Sequence, residues 1–197
     1  ILKDRIVEGC ALLYSNVIEG IVNPDNIPEG AEIIDANGGY VSPGLIDLHI
    51  HGYLGKDVCD GEEESIRTIS EGIVKNGVTG YLPTTMTVDM KVIKKALEVC
   101  RALKEESKNW DGSEILGCHA EGPFISESKK GAQDPKYILK PDAAFVKEYA
   151  DIIKKMGYNT LMLYTEDTFE VDGEPYLGHL RGRYTKNELK EEKYDRS

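Results

Sequence analysis

The sequence predicts an α/β fold: a partial (β/α)8 barrel of about four βα units, preceded by a small N-terminal β element. Three observations carry that prediction. From Pro43 onward, short apolar runs alternate with stretches of helical spacing, and such alternation means parallel strands joined by right-handed crossovers. Before Pro43 the texture differs, with short apolar runs broken by turn residues and no helical period. Chemistry-bearing side chains then stand at the ends of apolar strands, where a parallel α/β fold places its active site. From the pattern alone, four units fit either the first half of an eight-stranded barrel or a small open sheet.

The elements follow in chain order. "RIVEGCALLYSNVIEGIV", the turn-rich "NPDNIPEG" and "AEIIDANGGYVSPG" read as short strands joined by tight turns, a β element over residues 1–42. "GLIDLHIHG" is a short apolar strand. "GEEESIRTISEGIVKNG" puts Ile66, Ile69, Ile73 and Val74 on one helical face, with acids in the first turn and Gly77 after the last. "VTGYLPTT" is a strand. "VDMKVIKKALEVCRALKEES" is a helix whose apolar stripe is Val92, Ile93, Ala96, Leu97, Cys100 and Leu103. "EILGCHAEGPF" is a strand running into a loop. "KPDAAFVKEYADIIKKMG" is a helix that starts at Pro141 and Asp142 and ends at Gly157. "NTLMLYTED" is a strand, and "TKNELKEEKY" a helix capped by Thr185 with Glu188 three residues later. Because "TLMLY" needs burial, this last pair is expected to pack as a fourth unit beside the first three.

The formal net charge of −11 excludes nucleic acid and anionic membrane surfaces as partners, since both need basic patches. No apolar run reaches membrane-spanning length and no signal-peptide pattern opens the chain. The four cysteines, Cys10, Cys59, Cys100 and Cys118, show no CxxC spacing and read as reduced thiols. Together these features point to the cytoplasm. The chain begins with Ile, so a trimmed N-terminus is expected.

The strand "GLIDLHIHG" carries the chemistry. Period two turns His49 and His51 the same way, with Asp47 on that face, and Gly52 lets the backbone turn. Two neutral imidazoles at a strand end make half a site for a divalent transition metal, zinc foremost and iron among the alternatives. In "LGCHAEGPF", His119 and Glu121 share a face by the same argument. Glu121 adds the carboxylate of a plausible metal set, His49, His51 and Glu121. His119 is open to three readings: a partner of Glu121, a packed imidazole or, last, a ligand.

These segments resemble a known family. "VSPGLIDLHIHG", "GVTGYLPTT", "LGCHAEGPFIS" and "KKGAQDPKYI", in this order, resemble N-acetylglucosamine-6-phosphate deacetylases of the amidohydrolase superfamily, from near the start to about Asp142. The resemblance implies a small β-sandwich, a (β/α)8 barrel with one or two metal ions, and homo-oligomeric full-length relatives. His49 and His51 match the paired histidines of the first barrel strand, and Glu121 the carboxylate ligand. Ala132 and Gln133 match the loop that contacts the sugar, although many relatives have His at Gln133. The substrate implied is a small amino-sugar phosphate, and the reaction metal-assisted amide hydrolysis. No residue matches the family's general-base Asp, nor its later histidine ligands. No catalytic residue is therefore assigned, and an incomplete active site is expected.

From about Lys155 the sequence instead resembles a segment of family 20 glycoside hydrolases, the β-N-acetylhexosaminidases, without their Asp-Glu pair. The expected organisation is a β element over 1–42, an amidohydrolase-like half barrel over 43–154 and a glycosidase-like βα tail over 155–197. The seam falls between about Lys140 and Met156. A natural mosaic and a join between two amino-sugar genes both fit. The second is favoured because neither enzyme's machinery is complete. Beside the deacetylase-like reading stand a glycosidase-like one and a non-catalytic α/β piece.

Overall fold

The computed structural model describes residues 1–140, residues 144, 147, 151 and 154, and four short strands between residues 161 and 184. It divides into two compact units, Ile1–Gly44 and Leu45–Ser197.

In the first unit, β1 (Ala11–Tyr14) and β2 (Ile18–Val22) pair antiparallel, with a register slip between Leu13 and Tyr14. Asn23 caps the turn that follows by accepting from the Asp25 amide at 3.0 Å. The segment "AEIIDANGGYVSPG", expected to form strands, forms none. The Asp35 carboxylate instead accepts the Asn37 amide at 2.7 Å, and Gly39 N–H reaches the Ala36 carbonyl at 2.7 Å. Local side-chain and turn bonds thereby displace a ladder, and Ile33, Ile34 and Tyr40 are left exposed.

The second unit opens with β3 (Leu45–Ile50), the hairpin β4 (Gly52–Tyr53) and β5 (Lys56–Asp57), and α1 (Glu63–Ile73). Then come β6 (Val78–Thr85), α2 (Met90–Leu103), β7 (Glu114–Ile115) and β8 (His119–Ala120). β3, β6 and β7 form a parallel sheet in that order, and β8 pairs parallel with the far end of β6. This is the α/β arrangement with a parallel sheet that the alternation predicts. Among the described residues the sheet is open: β3 pairs only with β6, and its Leu45, Ile46 and Leu48 are exposed.

Two amphipathic helices supply the core. Ile66, Ile69 and Ile73 of α1 are buried, as the spacing predicts, while Val74 falls into a tighter closing turn, Val74–Asn76. Gly77, at φ 84°, ends that turn on the Val74 carbonyl at 2.9 Å. Its own carbonyl then accepts from Leu45 N–H at 2.8 Å, so the end of the helix also anchors the start of β3. α2 is capped by Asp89, which accepts from the Lys91 amide at 2.8 Å. It buries Ile93, Ala96, Leu97, Cys100 and Leu103. Val92, expected in that stripe, is exposed, at the edge of the buried face in the first turn of α2. Both helices pack with Val58, Tyr81 and Ile115 in one cluster. Tyr81 is fully buried, its hydroxyl donating to the Ile66 carbonyl at 3.3 Å, and burial holds its phenol well above the ordinary range. Ser70 and Ser113 stitch the helix to the sheet: Ser70 Oγ donates to the Ser113 carbonyl at 2.7 Å and Ser113 Oγ to that of Val78 at 2.5 Å.

The tail differs from expectation. β9 (Leu161–Leu163) adds no fourth parallel strand among the described residues; it pairs antiparallel with β12 (Gly182–Tyr184). Between them, β10 (Phe169–Val171) pairs antiparallel with β11 (Glu174–Tyr176). In sequence Asp172 and Gly173 separate these two, the dipeptide that short hairpins favour. The predicted helix over 141–157 is helical at residues 144, 147, 151 and 154. The helix predicted from Thr185 lies outside the described residues.

Two expectations follow from the caps. Gly77→Ala should lower stability by about 1 kcal/mol, read from the urea midpoint, because the left-handed φ penalises a Cβ while no atom lies near enough to clash. Before α1, the Asp60 carboxylate accepts from the Asp57 amide at 3.0 Å and the Ser65 hydroxyl at 2.7 Å. These bonds, the amide first, hold its carboxyl below the ordinary 3.8. A depressed folded value gives stability that is present above pH 3.8 and lost as pH falls through the lower folded value. Acid titration of Asp60→Asn should therefore show a shallower loss of stability in that window than the parent.

Candidate metal centre

Parallel pairing brings the C-terminal ends of β3, β6 and β8 to one end of the sheet. His49 lies near the end of β3 and His51 just past it, Thr84 near the end of β6, and Glu121 directly after β8. The ladder between β3 and β6 is irregular from Asp47 to Ile50. Pro83 of β6 has no N–H to offer there. Side chains take up two of the β3 amides there: Asp47 Oδ1 accepts from the His49 amide at 2.9 Å, and Thr84 Oγ1 from the Ile50 amide at 3.0 Å. Asp47, read from sequence as sharing the histidines' face, thus braces the backbone under His49.

His49, His51 and Glu121, the three residues singled out from sequence, converge. His49 Nε2 lies 3.0 Å and His51 Nε2 3.2 Å from Glu121 Oε2, and the two nitrogens are 3.1 Å apart. All three ligand atoms fall within 4.8 Å of one another. Among the described residues no fourth His, Cys, Asp or Glu joins them.

The protons decide what this means. His51 Nδ1 faces the Thr84 carbonyl at 3.2 Å, and a carbonyl only accepts, so Nδ1 carries the hydrogen. In a neutral ring Nε2 is then a bare lone pair. It points at a carboxylate oxygen that is buried and accepts no hydrogen bond. His51 Nε2 and Glu121 Oε2, two acceptors facing one another, repel unless a hydrogen on His49 Nε2 or a metal ion sits among them. Two imidazoles and a carboxylate form a donor set that zinc sites use, with a coordination position left for water or substrate. The residues therefore fit a divalent metal. The side chain of His49 is half exposed, which leaves the cluster approachable from that side.

The surroundings hold each ligand. The His49 ring meets those of His51 and His119 edge to face, at 4.9 and 4.6 Å between centroids. His119 donates from Nδ1 to the Leu48 carbonyl at 3.0 Å, and it stays outside the three-ligand group. That is the packed-imidazole reading. Glu121 Oε1 accepts from Gln133 Nε2 at 2.6 Å, and Gln133 Oε1 accepts from the Thr87 amide at 2.7 Å. Gly122 has φ 75°, and a Cβ there would collide with Thr87 Oγ1, so only glycine fits. Ala132 is exposed beside the buried Gln133. Sequence reasoning did not find Thr84 or Thr87. The run "TTMT", which carries both residues past a strand end, was the available signal.

No protein-family model matches the chain. It is 30% identical over 190 residues to an N-acetylglucosamine-6-phosphate deacetylase of Haemophilus influenzae, covering 92% of this chain and 48% of that protein. It is 35% identical over 121 residues to one of Lysinibacillus sphaericus, covering 61% of this chain and 31% of that protein. The crystal structure of the Pasteurella multocida enzyme of the same name aligns with a TM-score of 0.69 at 30% identity, covering 75% of this chain and 38% of that one. The chain thus spans between about a third and a half of the length of these two curated relatives. An alignment over 92% of the chain passes beyond Asp142, where the resemblance was expected to stop. These relatives lend no support to a glycoside hydrolase tail. Over much of its length, in sequence and in structure alike, the chain is a relative of the N-acetylglucosamine-6-phosphate deacetylases.

Proposed function

We propose that the cluster is the metal centre of a hydrolase that removes the acetyl group from N-acetylglucosamine 6-phosphate or a close amino-sugar phosphate. One observation carries this reading: a buried, unbonded carboxylate oxygen faces two imidazole nitrogens, one of them a lone pair by tautomer. The kinship with deacetylases supports the substrate class.

His49 Nε2, His51 Nε2 and Glu121 Oε2 would hold a divalent transition metal, with zinc foremost and iron an alternative. When bound, such an ion supplies Lewis acidity toward an amide carbonyl and acidifies a water. The chain's own residues prepare the site. Thr84 fixes the His51 tautomer through its carbonyl, which keeps the ligand nitrogen basic. His119 seats the His49 ring. The loop bearing Ala132 and Gln133 borders the cluster through the Gln133–Glu121 bond, and the small, exposed Ala132 would let a sugar ring approach the backbone. Four unpaired thiols favour a reducing, cytoplasmic setting.

Zinc titration by calorimetry or equilibrium dialysis is the first test. One zinc per chain is expected, with binding lost in both His49→Ala and Glu121→Ala; no zinc binding by the unmodified chain would sink the reading. Activity is the second. Since no further acid or base joins the three ligands among the described residues, turnover should lack general-base assistance, which typically contributes about 10²–10⁴-fold. Slow release of amine from N-acetylglucosamine 6-phosphate is expected with added zinc, and none from either variant. Turnover that survived Glu121→Ala would show that the acetyl group is attacked somewhere else.

A further inference from the structure

Gln133 is a polar side chain next to the cluster that is itself almost fully enclosed, at 5% exposure. Its amide orientation is not free. The Thr87 backbone N–H can only donate, so the group it meets at 2.7 Å must be Oε1. That leaves Nε2 to face Glu121, where it donates to Oε1 at 2.6 Å, with its remaining side against Met86 Sδ at 3.8 Å. The main chain of Gln133 is held as well: its N–H reaches the Lys130 carbonyl at 3.0 Å and its carbonyl accepts from Lys130 Nζ at 3.3 Å. A side chain fixed at both ends thus presents a donor, and never an acceptor, to one particular carboxylate oxygen.

The consequence falls on Glu121. An NH2 donor aimed at it sets the direction in which the carboxylate turns. It also occupies Oε1, so that Oε2 alone is offered to the histidines, a one-oxygen ligand in a set orientation. The buried amide has its Oε1 and Nε2 already engaged, which leaves it little to offer a sugar hydroxyl. We infer that Gln133 is a positioning residue: it acts on the metal through Glu121, locking that carboxylate to the end of β6 by way of the Thr87 amide. This rests on the cluster being a metal centre, as proposed above.

The test uses cobalt(II), whose visible absorption reports both affinity and ligand geometry, on the full chain below its unfolding temperature. Gln133→Met keeps the volume and removes the donor; Gln133→Ala removes both. Loss of such a supporting bond typically costs about 10–100-fold in metal affinity. A loss of that size is expected in both variants, with an altered cobalt spectrum and retained far-ultraviolet circular dichroism. A merely structural glutamine would lower thermal stability yet leave cobalt affinity and spectrum unchanged, and that result would overturn the positioning role while the metal reading stood. Failure of the unmodified chain to bind cobalt would remove the metal reading and this inference together. Should neither variant fold, the side-chain amide resonances of Gln133 in the unmodified chain decide: they should shift on zinc addition, and unmoved resonances would overturn the role.

Discussion

Two ligand nitrogens and a carboxylate oxygen stand at hydrogen-bond distance from one another, and at least one of the nitrogens has no hydrogen to share. The rest of the site is organised around that constraint. In water such groups would turn apart. Here the His51 ring is pinned by the Thr84 carbonyl, the His49 ring is flanked by two other imidazoles, and Glu121 is tied to Gln133. Holding two acceptors together costs free energy when neither a shared hydrogen nor a cation lies between them. Protein structures keep such costs at functional sites, where binding of the missing group offsets them.

Parallel pairing makes the convergence possible. β3 and β8 do not pair with each other; both pair parallel with β6. Their C-terminal ends therefore frame the end of β6, and its last residues become the common scaffold. Thr84 gives a carbonyl to His51 and a hydroxyl oxygen to the Ile50 amide, and Thr87 gives its N–H to Gln133. The core below is ordinary helix-on-sheet packing of Ile66, Ile69, Ile73, Leu103 and their neighbours. It contributes stability and holds the strand ends in place, while the chemistry sits above it.

Much of this was legible in the sequence, for reasons that differ by element. The helices are found by the spacing of Ile66, Ile69 and Ile73 and of Ile93, Ala96, Leu97 and Cys100, because burial of one face is what makes them helices. The grouping of His49 with His51 and of His119 with Glu121 follows from period two, and the three proposed ligands do come together. What failed was whatever depends on a single local bond. Asp47 obeys the same period, yet its carboxylate turns to the His49 amide. The run "AEIIDANGGYV" has apolar residues in strand-like number, but Asp35 and the Asn37–Gly38 turn claim its backbone. Short apolar runs carry no directional information either, so "TLMLY" reads equally as a parallel or an antiparallel strand, and Leu161–Leu163 within it pair antiparallel with Gly182–Tyr184.

The least legible feature is also the most informative about precision. Gly122 and Gln133 lie eleven residues apart in the chain, and nothing in either position names the other. Both are answered by Thr87: its hydroxyl side packs where a Gly122 Cβ would be, and its amide orients the Gln133 side chain. One contact is steric and sets how close the chain after Glu121 approaches the end of β6. The other is polar and sets which way the Glu121 carboxylate turns. A ligand held by only one of these would keep either its place or its orientation. Metal coordination at the proposed centre would need both, since its bond lengths and angles tolerate little error, and Thr87 brings two restraints on one carboxylate together at one residue.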